Sequence, residues 1–201
     1  MPQLVLIKHA SPEVIAGVPP EQWRLSGQGR AACPRLADAL RPYAPAAVVG
    51  SEEPKASETG ELVARALDVP FHTAPGLHEH DRSNVPHLRS GEFISLMEVL
   101  FRKPNQLVLG RETAAGALKR FRNALDDVLE AHGADGKTVA VVSHGTVIAL
   151  LLEQLGGRGG FDVWRAMKLP SYAVLRLPAW DVEEVRDALP DATPADRHQT
   201  R

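Results

Sequence analysis

Two β-branched, apolar runs that each end in a histidine constrain this chain more than any other feature. LVLIKHA (4–10) delivers His9, and VAVVSHGTVIALLL (139–152) delivers His144. Neither run alternates apolar with polar residues, which predicts strands buried on both faces, as in a parallel sheet. Open parallel sheets gather ligands at the carboxyl ends of their strands. Two imidazoles that leave their strands there can meet although most of the chain separates them.

The rest of the pattern alternates strands and helices. Residues 3 to 7 read as the first strand, and 25 to 42 as a helix that Ser26 is placed to cap, with Ala32, Leu36, Ala37 and Leu40 on its apolar side. Pro34 either sits in that helix's first turn or shifts its start. AAVVGS (46–51) is a short buried strand, and 57 to 67 is a helix with Ser57 as a weak cap. An edge strand over 69–73 leads into a long polar loop, 74–91, a length that favours an active-site role or local disorder. Helices follow over 91–104 and 112–133, the latter with Leu118, Phe121, Leu125, Val128 and Leu129 on one face and Gly133 as its stop. A strand (138–142), a helix (146–155), the glycine-rich turn GGRGG and a late strand (171–178) complete the pattern. This order predicts an α/β fold, a three-layer αβα sandwich around a mostly parallel sheet. Residues 1–185 are expected to form that single domain, and 186–201 a polar tail that is too hydrophilic to pack.

Composition excludes several function classes. The formal net charge is −2, so no basic field for nucleic acid is evident. The longest apolar run, VIALLL, falls far below the ~20 residues of a membrane span, and LVLI is too short for a signal core. A cytoplasmic protein with no membrane partner is expected. The single Cys33 forms no internal disulfide and reads as a small residue of a helix core.

Several strings taken in order resemble one known family. LIKHASP, RLSGQGRAACPRLADAL, VVGSEEPKASETGELVARAL, LHEHDR, VAVVSHGTVIALLL and LPSYAVLRL are together similar to the histidine phosphatase superfamily, with its phosphoglycerate-mutase-like fold. In that family the first strand usually ends in Arg-His-Gly, with the His as nucleophile; here the tripeptide is Lys8-His9-Ala10. The family's second phosphate-binding Arg lies in Ser-x-x-x-Arg-Ala-x-x-Thr-Ala, which maps onto Ser51, Lys55, Ala56, Thr59 and Gly60. The general acid of Leu-x-Glu maps onto Glu79, and the second histidine onto His144, followed by Gly145. The resemblance thus implies both catalytic histidines and the acid, with lysine at both arginine positions. The Trp-Asn segment of the mutase branch is absent after the first histidine, which favours a hydrolase.

The chemistry of these residues supports the same roles. Attack on a phosphomonoester needs a neutral nitrogen lone pair, which His9 supplies near pH 7. Lys8, Lys55 and a protonated His144 would neutralise the equatorial oxygens. Gly145 leaves room for the backbone N–H groups at a helix start. Glu79 would protonate the leaving oxygen and then activate water, and its pKa is expected to be raised beside the dianion. Lysine is a mobile point charge where arginine is a fixed fork, so phosphate orientation is weakened by roughly 1–3 kcal/mol per site. Arg82, in the same loop as Glu79, is a candidate to supply the missing fork. If the residue after His9 requires a positive φ, Ala10 costs about 1 kcal/mol there.

Each residue also has a plainer reading. A lone strand-end histidine is more often structural than catalytic, and Lys55 and Glu79 could be solvated loop charges. His78, His80, Asp81 and His87 invite a metal reading but lack helical i, i+4 ligand spacing, and the family chemistry needs neither metal nor cofactor. GGRGG lacks the strand-to-helix context of a dinucleotide loop. The stripe Phe93, Leu96, Met97, Leu100 and Phe101 reads as core or as a lid over the substrate. The expected function is a metal-independent phosphomonoester hydrolase acting on a small phosphorylated substrate or a phosphoprotein. The alternative is a catalytically weakened phosphate-binding or regulatory module of the same fold. The oligomeric state is not legible.

Overall fold

A computed structural model describes residues 1–86 and 88–189. Six strands form one sheet in the order β3-β2-β4-β1-β5-β6: β1 (Gln3–Lys8), β2 (Ala47–Ser51), β3 (Phe71–Ala74), β4 (Val139–Ser143), β5 (Ser171–Arg176) and β6 (Asp181–Arg186). β1 to β4 run parallel to their neighbours among themselves, whereas β5 and β6 are antiparallel.

The unbroken apolar runs are explained by burial on both faces. Leu4, Leu6, Val139 and Val141 point into one core with residues of four helices: α3 (Ser90–Arg102), α4 (Ala114–His132), α5 (Gly145–Gln154) and α6 (Gly160–Ala166). Their odd-numbered neighbours in β1, Val5 and Ile7, join Ala140 and Val142 on the other face. There they meet α1 (Gly27–Leu40) and α2 (Pro54–Leu67). Successive side chains of a strand alternate faces, so a strand sandwiched between two helical layers has no polar position to offer. The expected three-layer architecture is the one observed.

Local signals act largely as expected. The Ser26 side chain accepts the Gly29 N–H at 3.0 Å and caps α1, and Thr113 caps α4 through Gly116 N–H at 3.0 Å. Several details differ. Pro34 lies in the interior of α1 rather than its first turn, where its missing N–H falls opposite the exposed Arg30. α2 begins at Pro54, three residues before Ser57, because proline fits the first helical position. The late strand stops at Arg176 and turns into β6, which the sequence reading did not anticipate, and Arg186 belongs to that strand rather than to a tail. The glycine-rich turn is followed by α6, also unforeseen. The remaining tail residues, 190–201, lie outside the described residues. Among the described residues no helix is long and apolar enough to cross a membrane.

Candidate active site

Backbone register brings the two histidines together. β1 and β4 are adjacent and parallel, with Lys8 opposite Ser143, and the His9 N–H donates to the Ser143 carbonyl at 3.1 Å. His9 and His144 therefore leave the sheet side by side, their rings in an edge-on contact with centroids 5.2 Å apart. β2 lies on the other side of β4, with Gly50 opposite Val142, so Ser51 emerges at the same level. Three neighbouring parallel strands thus deliver the three polar segments to one sheet margin.

His9 is almost fully buried, and its Nδ1 lies 2.8 Å from the Ala10 carbonyl. A carbonyl only accepts, so Nδ1 carries the proton and Nε2 keeps a free lone pair. Burial, then the proximity of His144, Lys55 and Lys8, pushes the His9 pKa down to about 3, so the ring is neutral at ordinary pH. Ala10 has a negative φ, and the expected strain is absent. Its N–H donates to Thr59 Oγ1 at 3.0 Å, while that hydroxyl donates to the Lys55 carbonyl at 2.7 Å. Thr59 thus ties the turn after His9 to the first turns of α2.

His144 is fully buried. Its pKa also falls to about 3, chiefly through burial, so the protein groups alone leave the ring neutral, whereas a protonated ring is the expectation beside the phosphate. Its Nδ1 has no partner among the described residues, whereas Nε2 lies 3.1 Å from Ser51 Oγ and 3.6 Å from Glu53 Oε1. A buried N–H without an acceptor is costly, so the proton of the neutral ring belongs on Nε2.

Lys55 is not solvated surface: it is only 6% exposed, and its ammonium donates to the Pro20 carbonyl at 2.8 Å and to the Glu53 carboxylate. Lys8 runs under Gly145 and donates to the Met167 carbonyl at 2.8 Å. A Cβ at Gly145 would stand 3.0 Å from Lys8 Cε and 3.2 Å from its Nζ, so the glycine leaves the lysine its path as well as starting α5. Burial lowers the Lys8 pKa.

Glu79 sits on the loop between β3 and α3. Its Oε2 accepts the Thr146 N–H of α5 at 3.2 Å and faces the Arg82 guanidinium at 3.6 Å. Burial pushes its pKa up, but Arg82, His144 and the His80 and Thr146 N–H groups outweigh this and hold it at about 2. The raised pKa expected beside a phosphate dianion is not what these protein groups impose: with them alone the carboxyl is ionised. Arg82 reaches the site as Glu79's partner, with further contacts to Thr146 Oγ1 at 3.4 Å and to the Phe93 ring.

Two groups of residues escaped the sequence reading. Glu53, just before α2, turns its carboxylate into the cluster, where Oε1 accepts the Glu79 N–H at 2.9 Å. Arg120, on α4, donates to the carbonyls of Gly76, His78 and Glu79 at 2.7, 3.0 and 3.2 Å and pairs with Glu112 at 2.6 Å. Glu112 in turn accepts the Asp81 N–H at 2.9 Å, and the Ser143 hydroxyl donates to the Leu77 carbonyl at 2.7 Å. The long loop is held to the sheet margin by these bonds. His80 is spent on it as well, its Nε2 lying 2.8 Å from the Glu112 carbonyl. Among the described residues no three His, Cys, Asp or Glu side chains are grouped to hold a metal ion, and His87 lies outside them. Of the 93–101 stripe, Met97, Leu100 and Phe101 are core, and Met97 Sδ lies 3.4 Å from Arg82.

The sequence model of the histidine phosphatase superfamily (branch 1) matches residues 4–184. A search of curated proteins returned no match. Among solved structures, a mycobacterial glucosyl-3-phosphoglycerate phosphatase is 19% identical with a TM-score of 0.73, over 94% of this chain and 100% of that one. A phosphoserine phosphatase from Entamoeba histolytica in complex with phosphoserine is 16% identical with a TM-score of 0.73, over 92% and 97%. YhfR of Bacillus stearothermophilus is 21% identical with a TM-score of 0.69, over 92% and 95%. At these identities the likeness is one of fold.

Proposed function

The chain belongs to the histidine phosphatase superfamily, and from that premise we propose that it hydrolyses phosphomonoesters through a phosphohistidine at His9. The observation that carries this reading is the neutral His9 ring, protonated on Nδ1 by its bond to Ala10 and set beside His144 and two lysines. Its Nε2 lone pair attacks phosphorus as the bond to the leaving oxygen breaks. Lys55, Lys8 and the His144 Nε2–H stabilise the equatorial oxygens, and Gly145 lets Lys8 and the start of α5 approach them.

The leaving oxygen needs a proton, and the empty site does not hold it on Glu79. The substrate monoanion brings it, since the second pKa of a phosphomonoester is about 6. Glu79 passes that proton to the alkoxide, then accepts one from the water that attacks the phosphohistidine, and hands it to the departing phosphate, which leaves the carboxylate ionised again. The attack breaks the N–P bond, releases phosphate and restores neutral His9. The substrate is a small phosphorylated molecule or a phosphoprotein, with no cofactor in the cycle and a cytoplasmic setting.

Turnover of p-nitrophenyl phosphate tests this. Wild-type chain should hydrolyse it with or without chelator, and His9→Ala should lose at least about 10³-fold in kcat. Acid-quenched wild type should carry one acid-labile phosphoryl group, absent from His9→Ala. Full turnover by His9→Ala would overturn the assignment. A second reading, a phosphate-binding module without turnover, is favoured by the engagement of the site cations with Glu53 and Glu79. Vanadate binding with no hydrolysis would select it.

A further inference from the structure

Glu53 stands where an acid is least expected in a site built for anions. It is the residue before α2, a position from which an acidic side chain ordinarily accepts N–H groups of its own helix. Its side chain makes no such bond. Instead the carboxylate, with only 12% of the side chain exposed, meets the Lys55 ammonium, the Glu79 backbone N–H at 2.9 Å and His144 Nε2 at 3.6 Å. An ammonium and a backbone N–H that donate to the carboxylate, with the His144 Nε2–H close by on Ser51 Oγ at 3.1 Å, form a donor set that a phosphate would take.

The charges around it lead to the same conclusion. Lys8, Lys55 and Arg82 are the cations of the cluster; Glu79 neutralises Arg82, and Glu53 neutralises Lys55. Both histidines are neutral. A phosphate dianion entering between Lys55 and His144 would lie against the Glu53 carboxylate, and like charges so close repel. Glu53 must swing away for those donors to turn to the ligand.

We infer that Glu53 is a built-in competitor of this site: a tethered carboxylate that holds the phosphate donors in the free protein and competes with every phosphate that enters. The inference deepens the proposed function and rests on the same site being the phosphate site. A tethered competitor acts at an effective concentration in the millimolar range or above. Every ligand that displaces it loses the same factor in affinity, ester and inorganic phosphate alike, so the device keeps the site from being held by its own product.

Calorimetric titration of the full chain with inorganic phosphate tests this, with inhibition by vanadate as a second readout. Glu53→Gln keeps the shape and removes the charge, and it should bind phosphate at least about tenfold more tightly than wild type. Glu53→Ala should shift in the same direction, which keeps the test alive if one variant folds poorly. The KM for a phosphomonoester should fall in the same direction, since the ester displaces the same carboxylate. Unchanged or weaker phosphate binding in both variants would overturn the inference and make Glu53 a support for Lys55. Loss of turnover in wild type alongside tighter phosphate binding in Glu53→Gln would sink the hydrolase reading and leave this one standing.

Discussion

The two halves of the site are held by different means. His9 and His144 are fixed by the backbone: adjacent parallel strands in register, joined by the His9 N–H to the Ser143 carbonyl. The charged half, Lys55, Glu53, Glu79 and Arg82, is fixed by side chains that neutralise one another and by a loop tied to Arg120. A register cannot drift by less than one residue, and such a slip would turn every strand side chain to the wrong face. Ion pairs rearrange within one conformation of the backbone. His9 is therefore held by the sheet itself, and under the proposed function the charges around it exchange partners when an anion arrives.

The largest effect that sharpens this contrast is expected at Glu79. Glu79→Gln should leave the histidine pair intact yet lower kcat/KM, which reports the step that releases the leaving group, about 10²–10³-fold for an alkyl phosphate, whose leaving group needs a proton. With p-nitrophenyl phosphate, whose leaving group departs without help, the loss should be under about tenfold. Equal losses for both substrates would mean that Glu79 orders the site rather than moving a proton.

The pH dependence separates the halves by titration. His9 and His144, both held near pKa 3, stay neutral from pH 5 upwards, so they leave no limb in that range. Glu79, held near 2, is already ionised there. The remaining titration is the substrate's own, near 6, and the monoanion is the form that carries the needed proton. For an alkyl phosphate, kcat/KM should thus be level near pH 5 and fall about tenfold per unit above roughly pH 6.5. A profile flat to pH 8 would show that the proton does not enter with the substrate.

The smallest effect concerns the scaffold of the charged half. Arg120→Met removes the donor of three loop carbonyls and the partner of Glu112, a cost of about 2–4 kcal/mol for such partly buried charged hydrogen bonds. Thermal melting should drop by roughly 5–10 °C. kcat should fall more than phosphate affinity, because the loop carries Glu79 while Lys55 and His144 stay in place. An unchanged melting point and kcat would mean that the loop keeps its place without the arginine.

Much of this was legible in the chain, for identifiable reasons. Strands β1 and β4 announced themselves because burial on both faces leaves an unbroken apolar string. α6 and β6 did not. The first begins at the last glycine of the glycine-rich turn, and the second, DVEEVR, has just two apolar residues, Val182 and Val185, both only half-buried, and otherwise reads as solvent-facing. Glu53 lies between Ser51 and Lys55, whose pattern carries the resemblance, and has no place in that pattern itself. The available signal was an acid directly before a helix-starting proline, two residues from a cation, at the end of a buried strand. Arg120 carried no signal at all, since a cation on an amphipathic helix ordinarily faces water.

By itself the sequence determined the layering, the parallel strands and the identity of the two imidazoles at their ends, because strand burial and strand ends are written in consecutive residues. Only the tertiary structure decided the charge state of the site. The pairings of Glu53 with Lys55 and of Glu79 with Arg82 and the α5 N–H groups, and the neutrality of both histidines, depend on distances through space and on burial. Electrostatic energy follows those quantities and not separation along the chain.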